Sequence, residues 1–146
     1  MSFEEQDPFA PEELTPRAIL RGMLAVWDYD RNRWTQEALS RSKDGATVQA
    51  RDPKATSWCA AGAAVRGSCW CDESLAQFSA FQAVLQEALG LWARELQEIL
   101  RARLGYVLAA DNPLPIFLND HGETTFDDVL LAAKRALDAT YEESGA

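Results

Sequence analysis

The run Trp58-Cys59-Ala60-Ala61-Gly62-Ala63-Ala64-Val65 limits this chain more than any other stretch. Small residues stand where a core helix usually carries large ones. Four alanines favour a helix and fill almost no volume. Gly62 in a helix interior costs about 1 kcal/mol against alanine. Such a glycine is expected where another backbone or a ligand comes close. The spacing predicts a short central helix capped by Ser57 and closed by Arg66 and Gly67. On helix propensity alone, Gly62→Ala is expected to be mild and Gly62→Leu to overpack.

Periodicity supplies the other helices. Thr15-Pro16 has the form of a cap followed by proline at the first helical position. Ile19, Leu20, Met23, Leu24 and Trp27 then recur at helical spacing, predicting a helix over 16–27. Trp34 to Ser40 and Thr47 to Ala50 alternate weakly around Lys43-Asp44-Gly45, which predicts a small β-hairpin with Gly45 in the turn. An apolar stripe from Phe78 to Val107, with Trp92 on it, predicts one bent helix or two helices meeting at Gly90. Asp111-Asn112-Pro113-Leu114-Pro115 is a stop, and Ile116-Phe117-Leu118 is expected to lie extended on the core. Thr125 and Asp128 have the spacing of a capping box before a last helix that carries Phe126, Val129, Leu130, Ala133 and Leu137.

The expected architecture is mostly α, a compact bundle of four or five helices with one small β-hairpin. One globular domain is expected over 15–141, preceded by an acidic flexible arm over 1–14 and followed by a frayed tail over 142–146. The 146 residues are enough to bury a core without disulfides, and 47% of them are hydrophobic.

The net charge of −9 disfavours nucleic acid and anionic membrane, because both require a cationic footprint. Charge is uneven: residues 1–14 carry −5, residues 15–56 carry +3 and residues 111–146 carry −6. No apolar run reaches the roughly 18–20 residues of a membrane span. Three cysteines, an odd number, fit a reducing compartment, so a cytoplasmic setting is expected.

The order of an apolar first helix, Trp34-Thr35-Gln36, the Lys43-Asp44-Gly45 turn, Trp58-Cys59-Ala60-Ala61-Gly62-Ala63, Asn119-Asp120 and Thr125-x-x-Asp128-Val129 resembles a known pattern. It is similar to a family of small bacterial and bacteriophage proteins classed as a domain of unknown function. The resemblance covers about 16–66 and 114–140. It implies fold boundaries and no particular activity.

Several groups invite chemistry. Cys59, near a helix N-terminus, is a candidate nucleophile, since such a position favours thiolate. His121, the only histidine, would then be its base, with Asp120 or Asn119 as orienter. The plainer expectation is a buried apolar Cys59 beside Trp58, without a polar partner and far from His121. Cys59, Cys69, Cys71 and His121 contain the ligand types of a zinc site, but the Cys-x-Cys spacing is too tight for the usual knuckle, so no metal and no cofactor is expected. Asn119 and Asp120 are expected to bond backbone and tie 116–118 to the last helix. Glu95 and Glu98 are expected on a solvated face. Trp27 and Trp92 are expected in the core, and Trp70, between two cysteines, is a candidate partner contact. The leading expectation is a non-enzymatic interaction protein that binds a protein partner or itself as a homo-oligomer. A thiol-dependent hydrolase or transferase using Cys59 and His121 is the alternative. A small-molecule sensor with its pocket over Gly62 is the third.

Overall fold

The computed structural model of the chain describes residues 15–68, 75–105 and 114–143, with side chains over 15–68, 81–105 and 114–140. The acidic arm, residues 69–74 with Cys69, Trp70 and Cys71, residues 106–113 with Val107 and the first part of the 111–115 stop, and the last three residues lie outside the described residues, as does the side chain of Phe78.

Helix α1 is Pro16–Trp27. The Thr15 hydroxyl accepts from the Ala18 amide at 3.1 Å, and Pro16 takes the first helical position, where no amide is needed. Ile19, Leu20, Met23 and Trp27 form its buried stripe. Asp28 and Tyr29, both at positive φ, reverse the chain. A 3-10 turn over Arg31–Arg33 follows.

Strand β1 is Ser40–Ser42 and strand β2 is Ala55–Trp58. They pair antiparallel, with Ser40 opposite Trp58 and Arg41 opposite Ser57. The expected small β-hairpin is present, but its second strand lies at 55–58 and not at 47–50. The Gly45 turn is present, with Gly45 at φ 90°, and Val48 N–H does bond Ser40 C=O at 3.1 Å. The main partner of β1, however, is the segment that carries Ser57 and Trp58. Ser57 therefore caps no helix. The Trp58 carbonyl accepts from the Thr35 amide at 3.2 Å and from the Trp27 indole at 3.0 Å. Those tertiary partners hold the residue extended against the helical preference of the alanines after it.

Helix α2 is Ala60–Arg66 and is capped by Cys59. Its face carries Ala60, Gly62, Ala63 and Ala64 into the core. A Cβ built on Gly62 would stand 2.0 Å from the Leu39 carbonyl oxygen and 2.9 Å from its carbon. The close approach expected at Gly62 is therefore backbone on side-chain-free helix, and it leaves no room even for a methyl group. The expectation that Gly62→Ala is mild is corrected, because the obstacle is backbone. A second crossing brings Gly22 of α1 against Gly67, where a Cβ on Gly67 would meet Gly22 backbone at 2.7 Å.

Helix α3 is a single helix, Leu75–Leu104, that runs through Gly90 without a break. It ends at Gly105, whose φ of 86° carries the chain out of the helix. Helix α4 is Pro115–Asp120, so Ile116, Phe117 and Leu118 are helical and not extended. Pro115 at the first position pre-sets the dihedral that starts this turn. Helix α5 is Phe126–Glu143. Thr125 and Asp128 bond each other's amides reciprocally, at 2.9 and 3.2 Å. Arg103 of α3 reaches the same Asp128 carboxylate at 2.6 Å, which joins the end of α3 to the start of α5.

The fold is thus mostly α, with five helices and one two-stranded sheet among the described residues. Helix α1 lies between α2, α3 and α5, and α3 packs along α5. Trp27, Trp92, Met23, Leu96 and Leu100 fill the centre. Every described tryptophan finds an acceptor for its indole N–H: Trp27 on Trp58 C=O, Trp58 on Ala50 C=O, Trp92 on Val129 C=O, and Trp34 on the Asn119 side chain. Buried indoles carry bulk into the core without an orphan donor.

Two glycines on helices give opposite expectations. Gly62→Ala drives its Cβ into the Leu39 backbone and should lower stability by about 3 kcal/mol. Gly90→Ala meets nothing within 4 Å and should raise it by about 0.5–1 kcal/mol. Urea denaturation of both variants, against the parent, checks the pair.

Candidate functional site

The site is built where three distant segments meet: 34–39, 59–62 and 115–121. Asn119, 1% exposed on α4, joins them. Its Oδ1 accepts from the Ala60 amide at 3.1 Å and from the Trp34 indole at 3.0 Å. Its Nδ2 donates to Thr35 C=O at 3.1 Å and to Asp120 Oδ1 at 2.9 Å. A carboxamide has two acceptor and two donor positions, and all four are taken. Turning the amide over would set N–H against N–H at Ala60 and Trp34, so its orientation is fixed. Asn119 therefore holds elements together and has nothing left for a ligand.

Neighbouring contacts reinforce the joint. Gln36 Nε2 donates to the Asn119 carbonyl at 2.9 Å and to that of His121 at 3.2 Å. Asp120 Oδ1 accepts from the Glu37 amide at 2.8 Å. Glu37 sits at φ 65°, a left-handed conformation that a glutamate seldom adopts, and the Asp120 bond is what secures it. Asn119 and Asp120 do bond backbone groups, but those of 35, 37 and 60. The link from α4 to α5 is made instead by Thr124, whose hydroxyl donates to Leu118 C=O at 2.7 Å. That corrects the expected partner of the Asn119-Asp120 pair.

Three amides at the start of α2 have hydrogen-bond partners. Leu39 C=O accepts from Cys59 N–H, Asn119 from Ala60 N–H, and the Cys59 sulfur from Gly62 N–H at 3.4 Å. Cys59 is buried, as expected, but it is not without a polar partner: it acts as the helix cap. Burial pushes its thiol pKa up, and the nearby Asp120 charge adds to this, against the lowering effect of the Gly62 and Ala61 amides. The thiol therefore stays protonated through neutral pH. A thiol, not a thiolate, is a weak nucleophile.

His121 is not brought to the sulfur by any contact of its ring. Its Nδ1 accepts from the Glu123 amide at 3.0 Å, and its ring stands edge-on to Phe117. Nδ1 thus serves as an acceptor that closes the 121–123 turn. Among the described residues no three His, Cys, Asp or Glu side chains gather as a metal site, and Cys69 and Cys71 lie outside them. Glu98 pairs with Arg101 on an exposed face of α3. Two guanidiniums lie on the Trp58 ring, Arg33 at 5.2 Å and Arg66 at 5.4 Å, both also anchored on backbone carbonyls.

Beside this joint is a cleft of about 230 Å³, lined among others by Glu37, Leu39, Cys59, Ala61, Ile116 and Asp120. It does not lie over Gly62, where the Leu39 carbonyl fills the space. Its surroundings are apolar and exposed: Leu39 is 47% and Ile116 63% exposed, and Leu114 and Phe117 stand open on the same short helix and its cap. No protein family, curated protein or solved structure matches the chain. No described helix is long and apolar enough to cross a membrane.

The sequence points to Cys59, Asn119 and Asp120, which do meet here. Glu37, Leu39 and Ile116 carry no sequence signal. Leu39 and Ile116 look like core residues, and nothing local marks Glu37 for positive φ.

Two outcomes follow. Asn119→Ala strands the Ala60 amide, the Trp34 indole and the Thr35 carbonyl, and should lower stability by about 3 kcal/mol in urea denaturation. Asn119→Asp should be destabilised at neutral pH, where two carboxylates face each other, and should recover as pH falls through the carboxylate range. For Cys59, the unfolded thiol ionises before the buried one. Its burial thus contributes stability that is complete below the ordinary thiol range and is lost as pH rises through the raised folded value. The stability of the parent relative to Cys59→Ser should fall between pH 8 and pH 10 (about the range of free thiols). Site-resolved iodoacetamide labelling near pH 7 should be slower at Cys59 than in the urea-unfolded chain.

Proposed function

We propose that this protein is a non-enzymatic interaction module that receives an apolar side chain of a protein partner in the cleft between Leu39, Ala61 and Ile116. The observation that carries this reading is the cleft itself, open, apolar and walled by exposed Leu39 and Ile116. Exposed apolar side chains around a concavity mark interaction sites more often than isolated ones do. The volume also favours a side chain. Small-molecule pockets run to roughly 300–1,000 Å³, and this cleft is about 230 Å³. The sensor alternative is weaker for that reason. The hydrolase alternative is weaker because the Cys59 thiol is kept protonated and His121 Nδ1 is engaged. A place in the family of small bacterial and bacteriophage proteins that the motifs resemble is part of this proposal. Its support is that Trp34, Cys59, Gly62, Asn119 and Asp120 lie in one bonded cluster. A cytoplasmic setting belongs to the same proposal.

The test is selection of displayed random peptides on the immobilised protein. Enriched peptides should share one bulky apolar residue. Ile116→Asp, at an exposed position, should leave the thermal melt unchanged and weaken the selected peptides by about tenfold, the loss of one apolar contact. Binding that is indifferent to Ile116→Asp would remove the cleft from the function.

A further inference from the structure

We infer that the partner segment is basic as well as apolar: the anchoring side chain is followed by lysine or arginine. This rests on the reading of the cleft as a protein-docking site. Beside the apolar walls, Leu39, Ala61, Pro115 and Ile116, two acidic residues line the cleft, Glu37 and Asp120. Asp120 spends Oδ1 on the Glu37 amide and the Asn119 carboxamide, and Oδ2 accepts no hydrogen bond from a described residue. Glu37 is exposed. The ion pairs among the described residues are Arg101 with Glu98 and Arg103 with Asp128, so neither rim carboxylate is neutralised by them. Arg33 and Arg41, the cations nearest Glu37 along the chain, are both committed: Arg33 to the Val26 carbonyl and the Trp58 ring, Arg41 to Thr35 Oγ1 and to the carbonyls of Gln36 and Gly45.

The backbone of Glu37 and the Asp120 carboxylate are fixed at the rim. Glu37 is secured at φ 65° by its amide bond to Asp120, and Asp120 is secured by Asn119. Two like charges placed together beside an apolar floor repel an acidic segment and attract a cationic one. The net charge of −9, with −6 of it over residues 111–146, acts in the same direction at longer range. Because the rim is open to water, the charges set preference while the apolar contact supplies most of the affinity.

The experiment titrates the ¹⁵N-labelled full chain with N-acetyl-Leu-Lys-Lys-amide and, separately, N-acetyl-Leu-Glu-Glu-amide, following amide shifts at low and high salt. The expected result is perturbation at Leu39, Ala61 and Ile116, with the basic peptide bound about three- to fivefold more tightly at low salt. That preference should shrink in high salt and in Glu37→Gln, whose exposed side chain carries no structural bond. Equal binding of both peptides at the cleft would overturn the charge preference and leave the docking reading standing. Silence from both peptides at the cleft, in a chain that stays monomeric, would overturn docking itself. Self-association lost in Ile116→Asp, with no peptide binding, would replace the basic partner by a second copy of this chain.

Discussion

The Asn119 carboxamide is the contact on which the rest of the site depends. A single side chain accepts from the first amide of α2 and from the Trp34 indole, and donates to the Thr35 backbone. Each of these groups is polar and sits in or beside the core. Without Asn119 each would need water or remain unpaired, at a cost of about 1–3 kcal/mol per group. The four bonds also define distance. They bring α4 to the start of α2 closely enough that the space left between them is a side-chain-sized cleft. The cleft is a consequence of this joint, and Asn119 itself is among the residues that line it.

Gly62 sets the second constraint. The Leu39 carbonyl rests on the α2 backbone where a Cβ would be, and the same carbonyl accepts from Cys59 N–H at 3.0 Å. A larger residue would lift the 36–39 segment off the helix. Glu37, Leu39 and Asp120 would then lose their common placement. The cost of a helical glycine is offset by the approach it permits. Cys59 fits the same scheme: its sulfur caps α2 and its burial keeps it protonated. A thiol in that role is a packing and capping residue.

Charge is distributed with a similar division. Arginines 33, 41 and 66 bond backbone carbonyls around the strands and the end of α2, where a guanidinium satisfies acceptors left open by irregular backbone. Glu37 and Asp120 line the cleft, and neither pairs with a described cation. These three guanidiniums are thus consumed internally, while the ion pairs among the described residues leave Glu37 and Asp120 out.

Local chemistry alone determined α1, its Thr15-Pro16 start, the Thr125-Asp128 cap of α5, the single-chain stripe of α3 and the need for close approach at Gly62. Each of these depends on residues within a turn or two of one another, where propensity and capping decide. The same local preference misplaced Ser57, because Trp58 is held extended by Thr35 and Trp27 from elsewhere in the chain. It also placed the second strand at 47–50, where only an isolated Arg41–Thr47 bridge forms, since a tight turn at Gly45 says nothing of the return at 55–58. Which atoms Asn119 would bond, that Leu39 and Ile116 would stay exposed around a cleft, and that Glu37 would take positive φ were decided only in three dimensions. Those outcomes rest on contacts across some 85 residues of chain, such as Trp34 with Asn119, and no local pattern encodes a partner at that separation.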